Sequence, residues 1–296
     1  MSTIPGASWP QRVVRPSWTL KLRFFVSGHL LFVAGATVFG IILIMATLAP
    51  LIAPYDPVAI DFSVKLGAPG PDHWMGNDEL GRDVFSRVLY GARTSLMVGL
   101  MVTVMAIALG LPIGLLAGYF GGRLDTVLMR LSDVFLAFPP LLLPIAITAA
   151  IGVGLVNAMI ALAISWFPWY ARIMRGAVMR VKSEPYVMAA RAMGVGHGRV
   201  MLRHALPNCL TPVIVQGSLD FGYTILAAAS LSFIGIGAQP PEIEWGLMAA
   251  ASRTNFLEFW WTVTFPGLAI FITVLSINLV GDGIRDILDP RFQEFR

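Results

Sequence analysis

Few side chains in this chain are placed to do chemistry, and the most suggestive is Asp220. It stands about nine residues into the apolar run Thr211–Ile236, near mid-membrane if the run is a helix rising about 1.5 Å per residue. An ionisable group at that depth is costly and usually faces a water-filled path or a partner. Two readings follow. Either Asp220 is protonated or hydrogen-bonded to a neighbour such as Tyr223, a structural role, or the two residues line a path and Asp220 meets cationic groups of a passing solute.

The other reactive types form no catalytic set. A phosphate-cradling loop needs two glycines, then Lys and Ser or Thr. Gly176–Ser183 ends in Lys182-Ser183, but Val181 replaces the second glycine, so this chain is not expected to bind nucleotide. His29, His73, His197 and His204 are scattered and have no metal-ligand spacing. The single Cys209 excludes an internal disulfide and a multi-cysteine metal site. No nucleophile–base pair and no paired aspartates at matching depth stand out. The expected catalytic and metal sites are therefore none.

The elements that position these residues are membrane helices. Apolar residues make up 56% of the 296-residue chain and charged residues 13%, against about 45–50% and about 25% in soluble domains. The pI of 9.5 invites a nucleic-acid reading. The charges flank apolar runs instead of forming one stripe, which suits membrane topology and argues against nucleic acid. Leu30–Ala53 is too long for a cleavable signal segment and reads as a retained span. Ser95–Tyr119 is a second. Val134–Ala171 holds 38 residues without a charge, about 57 Å as one helix, so two spans with a turn at Gly152-Val153-Gly154 are expected. Thr211–Ile236 and Phe259–Val280 complete six spans.

Six spans put both termini on one side. That side holds four Lys and Arg in the N-terminal tail, two in Gly121–Arg130, seven in Arg172–Arg203 and three in the C-terminal tail. The opposite side holds four in Pro54–Arg93 and one in Gly237–Glu258. The positive-inside rule then makes both termini cytoplasmic. Within span two, Gly110, Gly114 and Gly118 recur every four residues and allow close helix approach. Asp133 reads as structural, at a helix start with Arg130 nearby.

Between spans four and five lie about 36 cytoplasmic residues, Arg172–Asn208. Ser183 is placed to cap a short helix with Glu184 and Pro185 in its first turn. Tyr186, Ala189, Ala190 and Met193 then share one face, and Gly194, Gly196 and Gly198 end the helix. Such a helix suits a groove on a partner protein or the bilayer surface; the residues alone leave both open.

The spacing of Met188-Ala189-Ala190, Gly194, His204 and Leu206-Pro207 resembles the coupling loop of ABC importer permeases. That pattern begins Glu-Ala-Ala and ends Ile-x-Leu-Pro, so Met188 departs from it, while His204 is the residue of the peptide branch. Met75-Gly76-Asn77-Asp78-Glu79-Leu80-Gly81-Arg82-Asp83, Leu231-Ser232-Phe233-Ile234-Gly235-Ile236-Gly237 and Asn278-Leu279-Val280-Gly281-Asp282-Gly283 are similar to stretches of the second, C-type permease of dipeptide and oligopeptide importers. The matches spread from about Ala53 to Phe292.

The resemblance implies an all-α polytopic protein with six transmembrane helices and the core of a type I importer. Residues 1–29 would be a cytoplasmic tail, and 30–93 the first helix with an extracytoplasmic segment. Residues 94–284 would be the five-helix core carrying the coupling loop 172–208, and 285–296 a cytoplasmic tail. It implies a homologous second permease, two cytoplasmic ATPases that bind ATP and Mg, an extracytoplasmic substrate-binding protein and a peptide substrate. The coupling loop would meet the ATPase through Tyr186, Met188, Ala189, Ala190, Met193, Gly194, His204, Leu206 and Pro207. Contact with the binding protein is expected at His73, Trp74, Gln239 and Trp245. Nickel, glutathione, opine or oligosaccharide uptake is the alternative within the class. A secondary transporter using Asp220 as a proton site is the rival outside it.

Overall fold

A computed structural model of the protein describes residues 29–288. The described residues are almost wholly helical. In chain order the helices are α1 (Leu30–Thr47), α2 (Ala49–Ile52), α3 (Val84–Phe120), α4 (Gly122–Leu136), α5 (Leu142–Ile151), α6 (Leu155–Val181), α7 (Pro185–Ala192), α8 (His197–Arg199), α9 (Leu206–Ile234), α10 (Trp245–Ala251) and α11 (Trp261–Leu288). A π-helical stretch, Val200–Ala205, joins α8 to α9 without a break.

Four helices among the described residues are long and apolar enough to cross a membrane: Leu30–Thr47, Val84–Phe120, His197–Ile234 and Trp261–Asp286. The expected spans three and four take another form. The uncharged stretch from Val134 is interrupted between α4 and α5. Pro139 and Pro140 stand in the gap, and a proline removes a helical hydrogen bond and crowds the preceding turn. The expected turn at Gly152–Gly154 is present, with φ of +108° and +138° at its two glycines. Helix α6 has 27 residues, ample length, but it contains Asn157, Ser165 and three arginines in its last ten positions.

Helix α3 is the axis of the molecule. Its 37 residues reach about 55 Å at 1.5 Å per residue. Residues 84–94, which precede the expected span Ser95–Tyr119, are the first turns of this same element. Asp83 caps it, its Oδ2 accepting from the Ser86 N–H at 2.7 Å. Helix α6 packs along it where Gly110, Gly114 and Gly118 present no side chain. A Cβ at Gly118 would stand 2.8 Å from the Arg175 carbonyl oxygen, and at Gly110 and Gly114 it would overlap the carbonyls of Phe167 and Ala171. The small-residue stripe therefore sets the closest helix contact, as its spacing predicts. The core around it comprises Val98, Val102, Ala106, Leu162, Met174, Val178 and Leu231, all buried.

Helix α1 lies against α11, where a Cβ on Gly35 would meet the Leu279 Cβ at 2.6 Å. Salt bridges hold α4 on α6: Arg175 grips Asp125 with both Nε and Nη2, the latter at 2.7 Å, and Arg172 pairs with Asp133. Asp133 thus lies in the last turn of α4, not at a helix start. Its partner is Arg172 from α6, not Arg130.

Candidate functional site

Where α4 stops and α5 begins, the broken helix leaves a cavity of about 400 Å³ against α6 and α9. Asp220 and Tyr223 both line it, with Gln216, Ser165, Trp166 and Trp169. The helical repeat explains this grouping: Gln216, Asp220 and Tyr223 are four and three residues apart on α9, hence on one face. Gln216 Nε2 donates to Asp220 Oδ1 at 2.8 Å. Tyr223, expected as a possible partner of the acid, instead sets its ring 5.2 Å from that of Trp166. The buried hydroxyl of Tyr170 lies within electrostatic reach of Asp220. Sequence reading missed Gln216, Trp166 and Trp169. The i, i+4 spacing of Gln216 was available as a signal; the tryptophans needed the neighbouring helix.

At one end of α3 stands the loop that contains α7. Pro185 occupies the first turn of α7 and Glu184 is its cap residue, without a side-chain bond to the helix. Ser183 does not cap it; its hydroxyl donates to the Arg180 carbonyl at 2.8 Å. Val187 and Ala190, spaced i, i+3, are buried. Tyr186, Met188, Ala189 and Met193 are exposed. The face read from the sequence is therefore outward, except that Ala190 turns in. Gly194, with φ of +83°, ends α7 in a conformation that favours glycine. His204 is half-buried in the π-helical stretch, and Leu206-Pro207 begins α9.

Two ties fasten this loop to α3, and both reach Tyr119. Lys182 Nζ, just before α7, donates to the Tyr119 carbonyl at 2.7 Å. His197 Nδ1, just after it, lies 2.9 Å from the Tyr119 hydroxyl. Nothing in the spacing of Tyr119 singled it out. The near-match to a phosphate loop is also resolved here: Gly176–Val181 is the end of α6, so its N–H groups serve helical hydrogen bonds and form no cradle.

The opposite end of α3 carries the segment between α2 and α3 and the segment between α9 and α11. His73, expected at a partner contact, pairs its Nδ1 with Asp83 Oδ1 at 2.9 Å and stacks on Tyr55. Trp245 is a correction: expected at a partner contact, it is 2% exposed and donates its Nε1–H to the Val88 carbonyl. His73 steadies Asp83, the cap of α3, and Trp245 directly follows Glu244, the cap of α10. Trp74 is exposed, and half-buried Gln239 donates to the carbonyls of Gly235 and Gly237. Glu244, not anticipated, is buried and caps α10 by accepting from the N–H groups of Gly246 and Leu247, both at 2.9 Å. It also accepts from the Ser95 hydroxyl of α3 at 3.3 Å.

Comparison with known proteins gives two family matches. Residues 110–294 match the binding-protein-dependent transport system inner membrane component. Residues 27–69 match the N-terminal transmembrane domain of oligopeptide transport permease C. The chain is 45% identical over 291 residues, 98% of its length and 97% of the relative's, to a probable D,D-dipeptide transport system permease protein of Escherichia coli K12. It is 45% identical over 271 residues, 88% of each chain, to a di/tripeptide transport system permease protein of Pseudomonas aeruginosa. Among solved structures, the inward-facing MetNI methionine ABC transporter superposes with a TM-score of 0.57 at 18% identity. That match covers 69% of this chain and 97% of the other, and it supports the fold.

Proposed function

The chain belongs to the family of binding-protein-dependent transport system inner membrane components, and on that premise we propose that it imports di- or oligopeptides as one of two permease subunits. A homologous permease completes the path. A binding protein delivers the peptide outside, and two cytoplasmic ATPases bind ATP and Mg. Six crossings serve this role, the third built from the end of α4 with α5 and the fourth from α6. Both termini and α7 then face the cytoplasm, by the distribution of Lys and Arg.

The observation that carries the reading is the presentation of α7. Val187 and Ala190 anchor it while Tyr186, Met188, Ala189 and Met193 point away from the protein. An apolar face on a short, anchored helix suits a groove on a partner. Movement of α7 reaches α3 through Lys182 and His197, and α3 runs to the cap formed by Glu244 at its other end. ATP-bound ATPases would favour the outward-open arrangement by preferring one position of α7, a shift between two pre-existing states. Cargo would pass along the cavity at Asp220 and Tyr223.

The test is ATP hydrolysis by the complex that co-purifies with this chain, in proteoliposomes with its binding protein and a ligand panel. Stimulation by short peptides is the expected result. Stimulation by nickel, glutathione, an opine or an oligosaccharide alone would keep the machine and change the cargo. Uptake without any ATPase would sink the coupling-loop reading in favour of a secondary transporter.

A further inference from the structure

We propose that the cavity at the α4–α5 break is a subsite for an organic ammonium group, which in a peptide importer is the substrate's free amino terminus. The identification of that group rests on the peptide reading; the ammonium chemistry rests on the cavity. Among the described residues, Asp220 is the one charged side chain lining it. No salt bridge among the described residues involves Asp220. Its described hydrogen bond comes from the neutral amide of Gln216. A partly buried carboxylate with no cationic partner among the described residues is complementary to a cation that arrives.

The remaining lining selects among cations. Phe135, Phe138, Trp166, Trp169 and Tyr223 surround the same space, and aromatic faces attract ammonium groups. A divalent metal is disfavoured: hard ions take several oxygen ligands and nickel wants nitrogen or further oxygen donors. The described residues contain no group of three metal-binding side chains. A guanidinium is the poorer fit, because it seeks both carboxylate oxygens at once, and Gln216 already occupies Oδ1. An ammonium is a compact charge that one oxygen serves. A volume of about 400 Å³ lies in the range of small-molecule sites.

The experiment uses the complex co-purified with its ATPases and without the binding protein, so that recognition by that protein plays no part. Tryptophan fluorescence is followed during titration with L-alanyl-L-alanine, with its N-acetyl derivative and with ethylammonium. In the wild type the free-amine dipeptide should bind at least about tenfold more tightly than the acetylated one, the size of a charge-assisted hydrogen bond. Asp220→Asn should abolish that preference. Trp169→Leu, at an exposed position, should weaken the free amine about two- to fivefold. Equal binding of both dipeptides by the wild type, or an undiminished preference in Asp220→Asn with ATPases still attached, would overturn the subsite. If Asp220→Asn does not assemble, Trp169→Leu decides alone, and unchanged affinity refutes the cage. The peptide reading is separated by the liposome assay: were no peptide to stimulate hydrolysis there, saturable ethylammonium binding weakened about two- to fivefold in Trp169→Leu would still support the subsite, and the absence of saturable binding, or binding unchanged in the variant, would reject it.

Discussion

Gly114→Ala tests whether the contact between α3 and α6 is as close as its geometry implies. A Cβ at Gly114 would overlap the Ala171 carbonyl and stand 2.7 Å from the Met174 Cβ, where ordinary contacts begin near 3.5 Å. Neither obstacle is a flexible side-chain end. The carbonyl belongs to the α6 backbone, and Met174 and Ala171 are fully buried, so α6 must shift bodily. Overpacking of this kind costs about 1–3 kcal/mol. Against it stands the helix-propensity gain of alanine over glycine, about 1 kcal/mol. The net expectation is a loss of up to about 2 kcal/mol. Gly40 provides the control, since nothing lies within 4 Å of a Cβ built there. Gly40→Ala should leave stability unchanged or raise it by up to about 1 kcal/mol. The assay is unfolding of the purified chain in detergent, read by midpoint shift for the two variants side by side. The two substitutions are chemically identical, so opposite signs isolate the packing. If Gly114→Ala matched Gly40→Ala, the close approach of α3 and α6 would be refuted.

Three further substitutions test the two ends of α3. Tyr119→Phe removes the hydroxyl that meets His197 while keeping the carbonyl that Lys182 holds; uptake per ATP hydrolysed should fall severalfold while the ATPases remain bound. Combining it with Lys182→Met should uncouple further, and an unchanged ratio of uptake to hydrolysis in the double variant would remove Tyr119 from the coupling route. Glu244→Ala strips two N–H partners from α10 and one hydroxyl contact to α3. Capping losses are about 0.5–2 kcal/mol and a buried unsatisfied group about 1–3 kcal/mol. The melting midpoint in detergent should therefore drop by several degrees, and a midpoint equal to wild type would show that water replaces the carboxylate without cost.

Periodicity and hydropathy carried the helices that are apolar along their whole length. They failed where a segment mixes a buried amphipathic face with a break, as at α4, Pro139-Pro140 and α5. There Arg123, Asp125, Arg130 and Asp133 belong to a helix that satisfies two of its acids with arginines of α6, a long-range pairing that no local window contains. The site was legible to the same extent. Asp220 stood out by cost alone, and Tyr223 by helical spacing. Trp166 and Trp169 required knowing that α6 folds back beside α9. Trp245 misled because an aromatic residue in a surface segment looks available for contact, and the pairing of His73 with Asp83 was not legible either. Their actual partners, Asp83 and the Val88 carbonyl, lie on helix α3 or at its cap.

The placement of Tyr119 and Glu244 has a mechanical consequence. A rigid helix transmits displacement along its length only if both ends are tied to the elements that must move. Tyr119 sits in the penultimate position of α3 and is held on both flanks of α7. Near the other end, Ser95 bonds to Glu244, which caps α10, and Trp245 locks to Val88. Between the ties the helix contains Pro112, whose missing N–H leaves one carbonyl of the preceding turn without its helical partner. Pro112 itself is exposed, while Gly110 and Gly114 on the opposite face press that turn's backbone against α6, so the turn that lacks a hydrogen bond is packed closely on one side. In the proposed importer, α6 would resist bending there, and a push on α7 would pass to α10 as translation or rotation of the α3–α6 pair. Because α6 supplies one wall of the cavity through Ser165, Trp166 and Trp169, such a displacement of the pair relative to α9 would change the cavity's width without breaking a helix.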